Sequence, residues 1–310
     1  MTLSQIPVLS RVGHDRAAER RTDEAWLAAA WERGLALVVT PEYTTAVVEQ
    51  AAHAALALRP CSSVPAGAER YFLGLAGGDP VFAVRGPQDL VGDRWVDLRE
   101  IGAALDDRDA GLLTTAVALA RWHDRHPDCP IDGTPTALVN GGWVRRCPTD
   151  GSEHFPRTDP AVIMLVHDGG DRCVLGRQAV WPEGRFSILA GFVEPGEAAE
   201  AAVAREVYEE VGLPITDITY AGSQPWPFPS SLMLGFTAHA SRTAIDLSDQ
   251  ELEDARWFTR AQLAAGEIAL PTTHSISFRL IEDWYDSAAN RPLRAEPGVR
   301  MWQLPKRGGG

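Results

Sequence analysis

Hydrophobic and polar positions divide the chain into stretches of different period. Ala28–Val39 and Ala46–Leu58 are rich in alanine, leucine and valine and read as helical or buried. Tyr71-Phe-Leu-Gly-Leu75 and Val81-Phe-Ala-Val84 are short apolar runs either side of Ala76-Gly-Gly-Asp-Pro80, the pattern of two strands and a turn. From Glu100 to His126 an apolar stripe of Leu105, Leu112, Leu113, Val117, Leu119 and Ala120 predicts one long helix. Prolines and glycines then punctuate residues 127–156, as in a small turn-rich insert. Beyond Pro160, strands are expected at Ala161–Val166, Cys173–Leu175 and Phe186–Leu189, and a helix from about Ala198 to Val211. Further strands are expected near Ile218–Tyr220, Leu232–Ala240 and Ala255–Phe258, with helices near Arg260–Ala265 and Ser275–Tyr285. Pro305–Gly310 reads as a frayed tail. Strands and helices mix without regular βαβ alternation, so the fold class is α+β.

Composition changes this picture little, whereas charge changes it more. With 310 residues, 45% hydrophobic and 23% charged, the chain has room for two domains, each with its own core. A net charge of −13 argues against nonspecific nucleic-acid binding. An anionic substrate would need a local group of cations or bound metal ions as a bridge. Four cysteines are too few for a disulfide framework. The first 20 residues hold no apolar run of signal-peptide length, and no stretch approaches a membrane span. The expectation is a cytoplasmic protein with no membrane partner.

The chemistry concentrates between Gly191 and Leu213. Val203, Val207 and Val211 recur every four residues as a buried stripe, and Gly212 stands where a left-handed helix cap is expected. Glu206, Glu209 and Glu210, spaced i, i+3, i+4, project their carboxylates from one face. A solvated acidic face is the ordinary meaning of such a run. A cradle for Mg²⁺ or Mn²⁺, which bridge carboxylates to substrate phosphates, is the other.

The whole segment decides between them. Gly191, five residues, Glu197, seven residues, then Arg205-Glu206-aliphatic-x-Glu209-Glu210-x-Gly212-aliphatic resembles the Nudix box at every defined position. Ten residues on, Ser223-Gln-Pro-Trp-Pro-Phe-Pro-Ser-Ser231 resembles the motif of the NADH pyrophosphatase branch of that family, and it reads as a stiff, extended loop lining a pocket. The likeness covers about residues 95–285. It implies a Nudix fold, a mixed sheet between helices, over 157–290. Around it are expected an N-terminal α+β domain over 1–122, a zinc-ribbon-like linker over 123–156 and a tail over 291–310.

The resemblance also implies metal-dependent hydrolysis of the diphosphate of NAD(H), giving nicotinamide mononucleotide and AMP, with NAD-capped RNA as a further substrate. Glu206, Glu209, Glu210 and Glu251 would be catalytic and, with the Ala190 carbonyl, hold Mg²⁺ or Mn²⁺. Gly191, Glu197, Arg205 and Gly212 would shape the box. Phe155, Phe192, Gln224, Trp226, Phe228, Ser231, Arg99 and Ser277 would meet the substrate, and a homodimer is implied because a partner subunit can supply one stacking ring. Glu253 and Asp254 compete with Glu251 for its role. A broader ADP-ribose or ADP-sugar diphosphatase and a non-catalytic nucleotide sensor are the alternatives.

One departure stands out. Relatives carry two Cys-x-x-Cys pairs for zinc, and here the pairs are Cys129-Pro-Ile-Asp132 and Cys147-Pro-Thr-Asp150. Structural zinc favours thiolate and imidazole. The ribbon is therefore expected to fold without metal.

Overall fold

The computed structural model describes residues 3–50, 53–86, 92, 94–247 and 251–303, and the chain divides into two units. The first comprises residues 9–158 and 226–230. Helix α1 (Glu24–Arg33) starts at Asp23, whose side chain accepts the Trp26 N–H. Strands β1 (Leu35–Val39), β2 (Thr44–Glu49), β3 (Ala54–Leu56), β4 (Arg59–Pro60), β5 (Arg70–Ala76), β6 (Asp79–Arg85) and β7 (Arg94–Asp97) follow. They form one sheet in the order β4-β1-β6-β5 and another in the order β3-β2-β7. The β5–β6 hairpin is the pair of strands the sequence predicts.

Of the stretch from Ala46 to Leu58 read as helical or buried, Ala46, Val47, Ala54 and Leu56 are buried, and they lie on strands β2 and β3. Thr44, Thr45, Val47 and Val48 are β-branched and suit a pleated surface, where β7 and β3 flank them. The single helix expected over 100–126 is two: α2 (Leu98–Ile101) and α3 (Asp107–Arg125). They separate because the Asp106 side chain accepts the Asp109 N–H and caps a fresh start. The insert is a three-stranded antiparallel sheet of β8 (Ala137–Val139), β9 (Val144–Arg146) and β10 (Glu153–His154).

The second unit comprises residues 1–8, 159–225 and 231–310. Its elements are β11 (Asp159–His167), β12 (Arg172–Arg177), β13 (Leu189–Phe192), α4 (Ala199–Val211), β14 (Ile215–Trp226), β15 (Ser231–Ala240), β16 (Asp254–Thr259), α5 (Arg260–Ala265), β17 (Ala269–Leu270), α6 (Ile276–Asp286) and β18 (Arg300–Met301). The sheet runs β14-β15-β11-β12-β16, parallel between β11 and β15 and antiparallel between β12 and β16, with β13 also paired to β11. Alternation along β11 feeds two cores. Val162, Met164 and Val166 pack with Val203, Val207 and Val211 of α4, while Ile163 and Leu165 pack with Phe278 and Ile281 of α6. This is the expected mixed sheet between helices.

Boundaries shift in three places. The strand expected at 186–189 lies at 189–192, and Ser187 instead makes an isolated bridge to Gly176. Ser223–Trp226 belong to β14 and Ser231 opens β15, so the loop expected over 223–231 shrinks to 227–230. Pro225 is tolerated in β14 because that strand is the sheet's edge. Residues expected as a tail from 291 include the fully buried Leu293 and strand β18, which pairs with β17. Pro305–Gly310 lie outside the described residues.

Candidate active site

Helix α4 exists because four-residue spacing puts Val203, Val207 and Val211 in one stripe, all completely buried against β11. Gly212 ends it in the left-handed conformation at φ 67°. The valine stripe fixes the rotation of the helix, and the rotation places the acids. Glu206 and Glu210 are buried beside the stripe, while the Glu209 side chain stays about half exposed at 46%.

Strand β13 meets α4 at the box's first glycine. A Cβ on Gly191 would fall directly on the Glu206 carboxyl group, so only glycine leaves that carboxyl its place. The Ala190 carbonyl precedes this cradle on the same strand, opposite Ile163 of β11.

Arg205 ties the pieces together. Its Nε and Nη2 donate to the two Glu197 oxygens at 2.9 Å each. Nη1 donates at 2.9 Å to both Glu206 and Glu209, and Nη2 reaches the Phe192 carbonyl at 3.0 Å. Glu197 also accepts the Glu194 N–H at 3.0 Å, closing the loop before the helix. The bidentate Arg205 contact holds the Glu197 carboxyl down to about 2 and raises the guanidinium above its ordinary value. Glu206 moves the other way. Burial raises its pKa, Arg205 opposes that, and the nearby charges of Glu209 and Glu251 add to the rise.

Glu251 is thus near enough for its charge to act on Glu206, whereas its two rivals are engaged elsewhere. Glu253 pairs with Arg177, and Asp254 pairs with Arg256. Four carboxylates in an oxygen-only set, one of them buried and disfavoured as an anion, suit a hard divalent cation such as Mg²⁺ or Mn²⁺. They do not close into a cage. Among the described residues, the one group of three or more His, Cys, Asp or Glu side chains with donor atoms within 4.8 Å of one another lies in the ribbon. An open set fits ions that keep several waters and share substrate oxygens.

The expected substrate contacts separate into available and spent groups. Phe192 and Phe155 are 58% and 63% exposed, each in its own unit, unusual for rings of that size. Trp226 and Phe228 meet edge to face at 5.0 Å. Arg99 lies over both rings, its Cζ 4.1 Å from the Phe228 centroid and 5.7 Å from Trp226. Ser231 is half-buried at the start of β15, opposite Asp159.

Gln224 is engaged within the fold. It is completely buried, its amide donates to the His274 carbonyl at 2.8 Å, and its oxygen accepts the Ile276 N–H at 2.7 Å. It braces the start of α6. Ser277 is likewise buried and shares a 2.8 Å hydrogen bond with Ser187. The sequence could not reveal either role, because it does not show which backbone groups a fold leaves without partners.

In the ribbon, donor atoms of Cys129, Cys147 and Asp150 gather within 4.8 Å, and the Cys147 thiol lies 3.7 Å from an Asp132 oxygen. The carboxylates, however, already close their own turns. Asp132 accepts the Thr134 N–H at 2.9 Å and Asp150 the Ser152 N–H at 2.8 Å. Two thiols with two carboxylates committed in this way do not fit the closed thiolate and imidazole sets of structural zinc.

Comparison with known proteins finds three matching family models. The NUDIX domain model matches residues 157–283, the NADH pyrophosphatase-like rudimentary NUDIX domain matches 24–122, and the NADH pyrophosphatase zinc ribbon domain matches 124–155. The NAD-capped RNA hydrolase NudC of Mycobacterium tuberculosis (strain ATCC 25618 / H37Rv) is 44% identical over 301 residues, covering 91% of this chain and 96% of that protein. The human NAD-capped RNA hydrolase NUDT12 is 42% identical over 196 residues, 58% of this chain and 42% of that protein. A crystal structure of a NUDIX hydrolase from Nitrosomonas europaea aligns with a TM-score of 0.44 at 18% identity, covering 56% of this chain and 96% of that one.

Proposed function

Since the chain belongs to the NADH pyrophosphatase family of Nudix hydrolases, we propose that it cleaves the diphosphate of NAD(H) to nicotinamide mononucleotide and AMP and removes NAD caps from RNA 5′ ends. The observation that carries this is the Glu206 carboxyl seated in the space Gly191 leaves, one helical turn from the buried Glu210. We assign Glu206, Glu209, Glu210, Glu251 and the Ala190 carbonyl to holding divalent metal. Metal there would neutralise the diphosphate and lower the pKa of the attacking water.

The chain's own residues supply position. Arg205 fixes Glu206 and Glu209 relative to the loop before the helix through one planar, multiply bonded guanidinium. The exposed Phe192 ring offers a face for a nucleotide base. Phe155 offers another, and we propose a homodimer in which such a ring serves the neighbouring subunit; equilibrium sedimentation tests this, and a monomer would count against it.

The deciding assay compares NADH, NAD, NAD-capped RNA and ADP-ribose with Mg²⁺, with Mn²⁺ and without metal. Metal-dependent release of AMP from NADH or capped RNA is expected, with ADP-ribose the poorer substrate. A preference for ADP-ribose would favour the broader diphosphatase. No turnover of any of them would favour the nucleotide sensor.

A further inference from the structure

Two arginines of the first unit stand in an unusual position. Arg99 on α2 and Arg121 on α3 both lie against the ring of Phe228, with Cζ 4.1 Å and 5.6 Å from its centroid. Arg121 also lies 3.9 Å from the Tyr43 ring. Neither guanidinium makes a hydrogen bond or ion pair among the described residues, and the Arg121 Nε is buried with no partner. Other arginines in this unit are engaged: Arg85 pairs with Asp124, Arg94 with Glu49 and Glu100, and Arg108 with Asp109.

Two cations beside one ring repel each other. Burial lowers the Arg121 pKa, and Arg99 and Arg125 lower it further, while Tyr43 and Asp97 oppose them. Contact with a ring face returns only about 0.5–2 kcal/mol per cation. Tyr43 is itself flanked, with the Arg85 guanidinium 5.3 Å from its ring. The arrangement is thus built, yet it leaves guanidinium donors unused. Planar guanidinium donors match the oxygens of phosphate. In a chain of net charge −13, such a pair is also the local cation group an anionic substrate requires.

We propose that Arg121, a binding residue outside every recognised motif, adds to the substrate contact expected of Arg99 and with it makes a phosphate-binding subsite beside Phe228. The phosphate has two possible sources, the diphosphate of the dinucleotide or the first linkage of a capped RNA. Its catalytic consequence rests on the hydrolase function above, but its binding test does not.

Titration of the purified full-length protein with inorganic pyrophosphate in EDTA removes the metal route and reads the arginines alone. Wild type should bind, Arg121→Ala and Arg99→Ala should each weaken binding about tenfold or more, and Arg121→Lys should recover part of the loss. Thermal melts report whether each variant is folded, and Arg121→Lys serves if Arg121→Ala is not. Pyrophosphate binding unchanged in Arg121→Ala, or absent from wild type, would overturn the subsite.

Steady-state kinetics then identify the source. A KM increase for NAD-capped RNA alone, with a salt dependence shallower by about 0.7 in the log–log slope, assigns the RNA linkage. An equal increase for NADH assigns the diphosphate. Unchanged KM for both overturns a role in substrate binding, and failure of wild type to turn over either substrate defeats the hydrolase function while leaving the binding result standing.

Discussion

Glycine 191 shows how a single atom controls the site. No positive φ demands glycine at this position; what demands it is the Glu206 carboxyl, which occupies the space a side chain would take. Gly191→Ala should therefore displace that carboxyl and abolish most turnover, while the valine core that holds α4 is untouched and the melting temperature changes little. Near-normal rates in that variant would mean Glu206 is dispensable. Glu210→Gln is the companion test, because it keeps the shape and removes only the charge. We expect a folded protein with turnover reduced by several orders of magnitude, and normal rates would remove Glu210 from the metal set. At this scale the box was readable from the sequence, since its spacing encodes a helix face. Gln224 and Arg121 were not. One also bonds backbone at His274 and Ile276, which its motif does not show, and the other sits in a helix with no motif to mark it.

Elements were legible where local pattern and local packing agree. Helix α4 satisfies its four-residue apolar period within itself, so sequence alone places it almost to the residue. Strand β2 does the opposite. Its alanines and valines also fit a helix, and the deciding partner, β7, lies about fifty residues along the chain. Helix α3 adds a buried group that composition cannot show. His123 is neutral there: Nε2–H donates to the Gly142 carbonyl at 2.8 Å, and Nδ1 accepts from Arg145 Nη1 at 2.8 Å, with the ring stacked on Tyr71 at 4.3 Å. Burial pushes its pKa down from 6.5 to about 4, with the Gly142 bond opposing and Arg145 assisting. The unfolded chain then binds the extra proton first, so this contribution to stability is present above about pH 6.5 and is lost as pH falls towards 4. At about 1.4 kcal/mol per unit, the loss is on the order of 3 kcal/mol. Urea unfolding at about pH 7 and about pH 5 should show it, and His123→Gln should flatten the difference. The ribbon allows a sharper test. Its turns are closed by Asp132 and Asp150, so purified protein should carry no stoichiometric zinc, and a chelator should leave its melting temperature unchanged. One zinc per chain by elemental analysis would reverse that assignment.

For the whole molecule, charge and metal dependence are one question. A chain of net charge −13 that cleaves a dinucleotide must hold its substrate against its own field, and two means of doing so are proposed above. The acids of α4 would recruit cations from solution, whereas Arg99 and Arg121 would supply positive charge permanently. Their responses to chelation differ accordingly. EDTA should abolish turnover without unfolding the second unit, because α4 is held by Val203, Val207 and Val211 and not by metal. Added Mg²⁺ or Mn²⁺ should then restore the rate and raise the melting temperature in proportion to its binding, since ions that bind the folded state alone stabilise it by mass action. Loss of folded structure in EDTA, followed by circular dichroism, would show that metal builds the fold and does not merely arm it. In Gly191→Ala the metal-induced rise in melting temperature should shrink together with the activity. If activity fell while the rise persisted, the Glu206 carboxyl would act in the chemistry and not in holding the ion, and the two roles assigned to α4 would separate.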